Sequence, residues 1–231
     1  MLESKRYIQV KNLVQEDKTY SLEEAVDIIK MQPKAKFDES VEVSIGLGVD
    51  TKKSDQMVRG SSKLPHGTGK TKKVLVFCES DKEQIAKDAG ADFAGSQDLI
   101  DKISKGWLEF EYCISTPSMM KNVSRLGKTL GPRGLMPSPK SGTVTDNLAF
   151  AIKEAKEGKL HFKMDKFGSL NVAVGKASFP KEKIIDNLHV FLSSLIQAKP
   201  SSVKGKFIKN LTLSTTMGVG IKIDLPKEYQ L

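Results

Sequence analysis

The sequence predicts an α+β domain assembled from both ends of the chain, with an α/β domain inserted between them. Three observations carry this. Residues 68–158 alternate short, continuous apolar runs with helical stretches, the pattern of a small parallel sheet covered by helices on both faces. Residues 1–67 offer one clear helix and one clear strand, which cannot close a core. Residues 159–231 supply the strands and the long helix that the first segment lacks. With 231 residues, 39% hydrophobic and 28% charged, the chain has material for two cores and not the composition of a disordered tail.

Taken in order, Ser21 and Glu24 have the spacing of a capping box, the hydroxyl accepting the third helical N–H while the carboxylate reaches back. Leu22, Ala25, Val26, Ile28, Ile29 and Met31 then form a helical apolar stripe that stops before Pro33. Val41, Val43, Ile45 and Leu47 alternate with Glu42, Ser44 and Gly46, the period of a half-buried strand. In the middle third, Val74–Phe77 and Tyr112–Ser115 read as buried strands. Helices are expected over Lys82–Ala89, ended by Gly90, and over Asp98–Ser104, Ser118–Leu126 and Asp146–Glu157. In the last third, Leu160–Phe162 and Leu170–Val174 read as strands. Pro180–Gln197 reads as an amphipathic helix with Pro180 in its first turn and Pro200 beyond its end. Lys206–Ser214 and Val219–Ile223 read as a hairpin-like pair. The domains are therefore expected at 1–67 plus 159–231 and at 68–158, with Gly67, Gly69 and Gly158 at the crossings as a hinge.

Charge is unevenly placed. The chain carries 37 Lys and Arg against 28 Asp and Glu, net +9. Residues 1–67 are balanced, residues 68–158 are net +2, and residues 159–231, with 12 basic and 5 acidic side chains, are net +7. A solvated lysine-rich face would explain that excess, but its concentration favours a surface for a polyanion, either nucleic acid or an acidic membrane. Two cysteines, Cys78 and Cys113, each inside an apolar run, provide neither a disulfide framework nor a four-ligand zinc site. No apolar run is long enough for a membrane span, and Lys5 and Arg6 do not open a signal peptide. A reduced, cytoplasmic protein without membrane, metal or cofactor is expected.

The motifs that suggest chemistry do not hold. Gly67, Gly69, Lys70 and Thr71 resemble a phosphate loop, but Leu64 stands where its first glycine belongs, and the nearest strand follows the loop instead of preceding it. His66, His161 and His189 are widely separated, no nucleophile elbow occurs, and Asp50 and Asp55 flank Lys52 and Lys53, a poor cation site. No catalytic residues are expected. The glycine- and proline-rich stretch from Gly127 to Lys140 suits a surface loop whose Lys128, Arg133 and Lys140 meet phosphates, or an ordinary long loop. Between the last two strand patterns, Thr215, Thr216, Met217 and Gly218 offer hydroxyls for phosphates or 2′-hydroxyls, an apolar contact for a sugar or base, and room for close backbone approach; a plain hairpin turn is the alternative. Phe37, near Lys34 and Lys36, suits base stacking or the core.

Together these stretches resemble the bacterial family of ribosomal protein L-one. The resemblance is carried by residues 35–43, residues 54–60, and Leu64 to Gly67. It continues through Leu130 to Pro137 with Pro139 and Lys140, Gly142 to Val144, Val174 to Pro180, and Thr215 to Gly218, from about Arg6 to Asp224 in family order. It implies a split β-α-β-like discontinuous domain with an inserted Rossmann-like three-layer domain on a flexible pair of linkers. It also implies a structural constituent of the large ribosomal subunit, monomeric when free, which binds large-subunit rRNA and forms the mobile stalk beside the E site. Assistance in releasing deacylated tRNA and repression of its own operon mRNA are implied too. Carried over, the RNA contacts fall on Lys36, Phe37, Ser40, Asp165, Lys166, Gly168, Thr216, Met217 and Gly218. Lys204 and Lys206 join Lys36 and Lys166 as expected phosphate partners. Ser40 replaces the family's usual threonine, Asn210 a common serine and Val219 a proline, while residues 226–231 have no counterpart. A non-ribosomal RNA-binding protein of the same fold, or a nucleotide-using enzyme, are the alternatives.

Overall fold

The computed structural model describes residues 4–15, 18–33, 35–225 and 229, without the side chains of Ser54 and Lys140. In chain order the elements are α1 (Lys5–Asn12), α2 (Leu22–Met31), β1 (Ser40–Leu47), β2 (Arg59–Lys63) and β3 (Val74–Phe77). Then come α3 (Ser80–Asp88), β4 (Phe93–Gly95), α4 (Gln97–Ser104), β5 (Tyr112–Ser115), α5 (Met120–Val123), α6 (Gly127–Leu130) and α7 (Leu148–Lys156). The chain closes with β6 (Lys159–Lys163), β7 (Ser169–Lys176), α8 (Lys181–Gln197), β8 (Ile208–Thr215) and β9 (Ile221–Ile223). Contacts divide these into two compact units, Met1–Gly69 with Leu160–Leu231, and Lys70–Lys159.

The discontinuous unit is built on an antiparallel sheet ordered β7-β1-β8-β9. β7 and β8, joined through α8, flank β1 and run antiparallel to it, so the strand from the first segment sits between two strands from the last. That interleaving is why neither chain end closes a core alone. Val41, Val43, Ile45 and Leu47 of β1 are buried in one cluster with Leu22, Val26 and Ile29 of α2 and Leu188, Phe191 and Leu195 of α8. Alternation sends Glu42 and Ser44 to the opposite face, beside Asn171 of β7 and Asn210 of β8. Helices therefore cover one face of the sheet and small polar side chains line the other. The capping box of α2 is formed: Ser21 Oγ accepts from the Glu24 N–H at 3.2 Å, and the Glu24 carboxylate accepts from the Ser21 N–H at 2.8 Å. The backbone bond from Ser21 holds the Glu24 carboxyl below its ordinary value.

The second unit is a parallel three-stranded sheet ordered β4-β3-β5. Leu75, Phe77 and Cys113 pack on one side with Leu99, Ile103, Leu126 and Leu130. Val74, Val76, Tyr112 and Ile114 pack on the other with Ala86 of α3 and Ile152 of α7. Helices thus lie on both faces. Burial pushes the thiols of Cys78 and Cys113 up, as expected of inert core residues.

Four short elements lacked a sequence signal. β2 has only Ser62 buried among its five residues and exists because it pairs with β6. α1, whose Ser4 hydroxyl caps it by accepting from the Tyr7 N–H, buries only Val10. β4 is three residues long. α6 lies inside the expected Gly127–Lys140 loop, where Leu130 is fully buried and Leu135 and Met136 pack on the same cluster. That stretch is half core and half surface. Residues 226–231 lie outside the described residues except Tyr229, whose hydroxyl is 2.9 Å from His189 Nδ1.

Candidate nucleic-acid interface

β1 has two ends, and the expected RNA contacts of the discontinuous unit gather at both. At its start the Ser40 N–H donates to Thr216 Oγ1 at 3.0 Å, and the Thr216 N–H donates to the Ser40 carbonyl at 3.1 Å. This pairing, across 176 residues of sequence, brings Phe37 and Met217 to the same end of the strand. Each residue is 54% exposed. The segment holding Phe37 is tied down on its far side: Asp38 accepts from the Ser178 N–H and hydroxyl at 3.1 and 2.8 Å, and the Ala177 N–H donates to the Glu39 carbonyl at 2.8 Å. Lys176 Nζ donates to the Asp38 carbonyl and to Ser40 Oγ, at 3.1 and 3.3 Å. Ser40 is buried, so its hydroxyl shapes the site from beneath. Lys36 is exposed; Lys34 lies outside the described residues.

The turn after β8 is built as tightly. The Gly218 N–H donates to the Thr215 carbonyl at 3.0 Å. A Cβ at Gly218 would collide with Thr215 Oγ1 and approach Gln32 Oε1 at 2.8 Å, so glycine is required by the protein's own packing. Thr215 is buried and donates to Gln32 Oε1, which takes it away from solvent and leaves Thr216 as the exposed hydroxyl residue of the pair. Beside this turn, a cleft of about 520 Å³ is lined in part by Ile29, Gln32, Lys36, Phe37, Asp38 and Thr215.

At the far end of β1 the Leu47 N–H donates to the Gly168 carbonyl at 2.8 Å, and the Gly48 N–H donates to the Phe207 carbonyl at 2.7 Å. These bonds bring the β6–β7 turn, with Asp165, Lys166 and Gly168, beside the segment carrying Lys204 and Lys206. All three lysines are exposed. Asp165 Oδ1 accepts from the N–H groups of Phe167 and Ser169, both at 2.8 Å, and Gly168, with φ +81°, is buried. Both residues set the turn that presents Lys166. The strand's seven steps separate the two ends by about 23 Å. Between them lies the small polar face, where Ser44 Oγ donates to Asn171 Oδ1 at 2.5 Å and Asn210 occupies the space above Gly46.

Two charged groups at the first end went unseen in the sequence. Arg6 donates through Nη2 to the Met217 carbonyl at 2.7 Å and through Nη1 to the Pro33 carbonyl at 3.2 Å, and pairs with Glu39 at 3.8 Å. Glu39, 5% exposed, also accepts from the Met217 N–H at 3.0 Å. The carboxylate nearest Met217 is thus buried and partnered by a cation, so it does not oppose an anion at the surface. No short-range signal links Arg6 to a residue 211 positions away.

The remaining expected residues lie elsewhere. Lys128 and Arg133 are exposed in the second unit; Lys140 sits in a turn there, its side chain outside the described residues. Gly67, Gly69 and Gly158 all have positive φ, at 62°, 73° and 108°. Gly67 is nevertheless anchored, its carbonyl accepting from Asn187 Nδ2 at 2.9 Å, and a Cβ at Gly69 would lie 2.6 Å from Lys176 Cγ. Among the described residues no group of His, Cys, Asp or Glu is placed to hold a metal, and no helix is long and apolar enough to cross a membrane.

A rigid surface with an exposed aromatic and thioether at one end, lysines at both, and hydroxyls and amides between is suited to a structured, polyanionic partner. The ribosomal protein L1p/L10e family matches the chain over residues 28–219, a span containing both ends of β1. The large ribosomal subunit protein uL1 of Protochlamydia amoebophila is 50% identical over 222 residues, 96% of this chain and 94% of its own. That of Thermosipho melanesiensis is 52% identical over 222 residues, covering 96% of each chain. That of Chlamydia pneumoniae is 54% identical over 207 residues, 90% of this chain and 89% of its own. With a profile match over most of its length and relatives this similar end to end, the chain belongs to the ribosomal protein L1p/L10e family.

Proposed function

We propose that this protein is a structural, non-enzymatic constituent of the large ribosomal subunit and binds the subunit's rRNA through β1, its two ends and its polar face. The observation that carries this is the Ser40–Thr216 pairing, which joins the two chain segments and brings Phe37 and Met217 to the same end of β1 on a unit holding most of the chain's excess positive charge. Lys36, Lys166, Lys204 and Lys206 neutralise phosphates. Phe37, Thr216 and Met217 meet sugars, bases or backbone of a distorted junction, while Ser40, Asp165, Gly168 and Gly218 hold the shape of the surface that meets it.

In this proposal the protein and its bound rRNA form the mobile stalk next to the E site, in the cytoplasm. The inserted unit turns Lys128, Arg133 and Lys140 toward deacylated tRNA and assists its release. Because Gly67 and Gly69 are anchored in the discontinuous unit, bending falls at Lys70 and beyond on one crossing and at Gly158 on the other. The same RNA surface represses the protein's own operon mRNA wherever that messenger presents a similar junction.

Sedimentation with large subunits stripped of this protein, at high salt, tests the central claim. The expected result is stoichiometric retention, with small subunits retaining none. Release from large subunits at a salt concentration where free RNA of unrelated sequence is also released would instead favour a non-ribosomal RNA-binding role.

A further inference from the structure

Phe167 is 90% exposed, more than any other large apolar side chain among the described residues, yet its backbone is fixed. The Phe167 N–H donates to Asp165 Oδ1, the Asp165 N–H donates to the Ser169 carbonyl at 2.8 Å, and the Gly168 carbonyl is held by the Leu47 N–H. Gly168 in the left-handed region closes the turn under the Leu47–Thr51 segment, where a Cβ would lie 3.5 Å from Thr51 Cγ2. These bonds fix the main chain from which the ring projects, and the ring lies almost wholly in water. A buried phenylalanine would help stabilise the fold; this one has almost no buried surface with which to do so. Lys163 and Lys166, four and one residues before it, are exposed, and the segment carrying the exposed Lys204 and Lys206 is joined to the same end of β1.

An unpaired nucleotide, a planar π face on an anionic backbone, satisfies both the ring and the exposed ammonium groups at this end of β1. We propose that Phe167 is a stacking platform for an unpaired nucleobase of the bound rRNA, at the opposite end of β1 from Phe37 and Met217. This rests on the rRNA-binding function proposed above. It adds a second aromatic contact about 23 Å from the first along the strand, so the RNA is clamped at two points and its register on the sheet is set. Asp165 and Gly168 thereby gain a reason for their place in the site, as the residues that aim the ring.

The test is a titration of the full chain with large-subunit rRNA transcribed from the same organism's gene, repeated at several salt concentrations. Phe167→Ala is expected to raise Kd about tenfold, in line with loss of one base–aromatic stack. Phe167→Leu should fall nearly as far, and Phe167→Tyr should stay within about twofold of the parent, because the π face and not apolar bulk is what counts. All three should leave the salt slope unchanged, since no phosphate contact is lost, whereas Lys166→Ala should lower it by about 0.7–0.9. The exposed position leaves folding intact, checked by circular dichroism. Parent-like affinity of Phe167→Ala, or full rescue by Phe167→Leu, while Lys166→Ala still lowers the slope, overturns the stacking platform and leaves rRNA binding standing. A parent chain that does not prefer this rRNA to unrelated RNA overturns both.

Discussion

The hydroxyl of Thr216 accepts from the Ser40 N–H at 3.0 Å and lies 3.4 Å from the Ser40 carbonyl, so it joins the two chain segments before any RNA arrives. Thr216→Val keeps the shape and removes the acceptor. Ser40 is buried, so its N–H is left without a partner at a cost of about 1–3 kcal/mol. Urea unfolding should register that loss, and rRNA affinity should fall with it because Phe37 and Met217 are held in place through this link. Thr216→Ser should restore both; a valine variant with parental stability and affinity would show that the link is dispensable. At this scale the sequence was only partly legible. The hydroxyl–methionine–glycine run from Thr215 to Gly218 marked the turn, but whether Thr215 or Thr216 faces solvent depends on Gln32, which no local pattern connects to it. Phe167 is illegible for a related reason: a phenylalanine in a sequence carries no label of inside or outside. The Asp165 and Gly168 spacing, a turn signature with Phe167 at its tip, was the available clue.

Among the elements, those with regular apolar periodicity were legible and those made by pairing were not. α2 and α8 each bury a stripe, β1 an alternating set, and β3 and β5 a continuous run that can be counted in the sequence. β2, with Arg59, Gly60, Ser61, Ser62 and Lys63, has no such set and is a strand because β6 lies beside it. In the proposed interface α2 leads into the segment carrying Gln32, Lys36 and Phe37. Its capping box gives a measurable handle. Ser21→Ala removes the acceptor of the Glu24 N–H and should lower stability by about 1 kcal/mol at neutral pH. Because the folded Glu24 carboxyl titrates below its unfolded value, its contribution is complete above the ordinary carboxylate range and is lost as pH falls through the lowered value. Ser21→Ala keeps the backbone N–H that lowers Glu24, so the titration is read with Glu24→Gln: the difference between parent and Glu24→Gln in urea unfolding should shrink on acidification below about pH 4. A gap of constant size across that range would mean that the carboxylate's charge contributes nothing to the box.

For the whole molecule, the division of labour between the units leads to a deletion experiment. The second unit has its own sheet with a separate hydrophobic cluster on each face, and each cluster is composed of residues between Val74 and Ala155. Where the chain enters and leaves this unit the two crossings are adjacent: Lys72 Nζ donates to the Lys159 carbonyl at 2.8 Å. Desolvation where it is partly buried draws the Lys72 ammonium's pKa down. Replacing residues 70–159 with a short glycine-serine linker therefore needs to span only a small gap, and the loop-closure penalty is modest because it grows slowly with length. Every lysine assigned to rRNA phosphates, and both ends of β1, remain in what is left. The shortened chain should bind large-subunit rRNA with Kd within about threefold of the parent, a change below roughly 0.7 kcal/mol. Its salt slope should match the parent's to within one phosphate contact, about 0.7–0.9. The excised unit should unfold cooperatively alone and show no preference for that rRNA. A loss of tenfold or more on deletion, with the shortened chain still folded, would transfer part of the rRNA interface to the inserted unit, and the exposed Lys128 and Arg133 would be the first residues to replace.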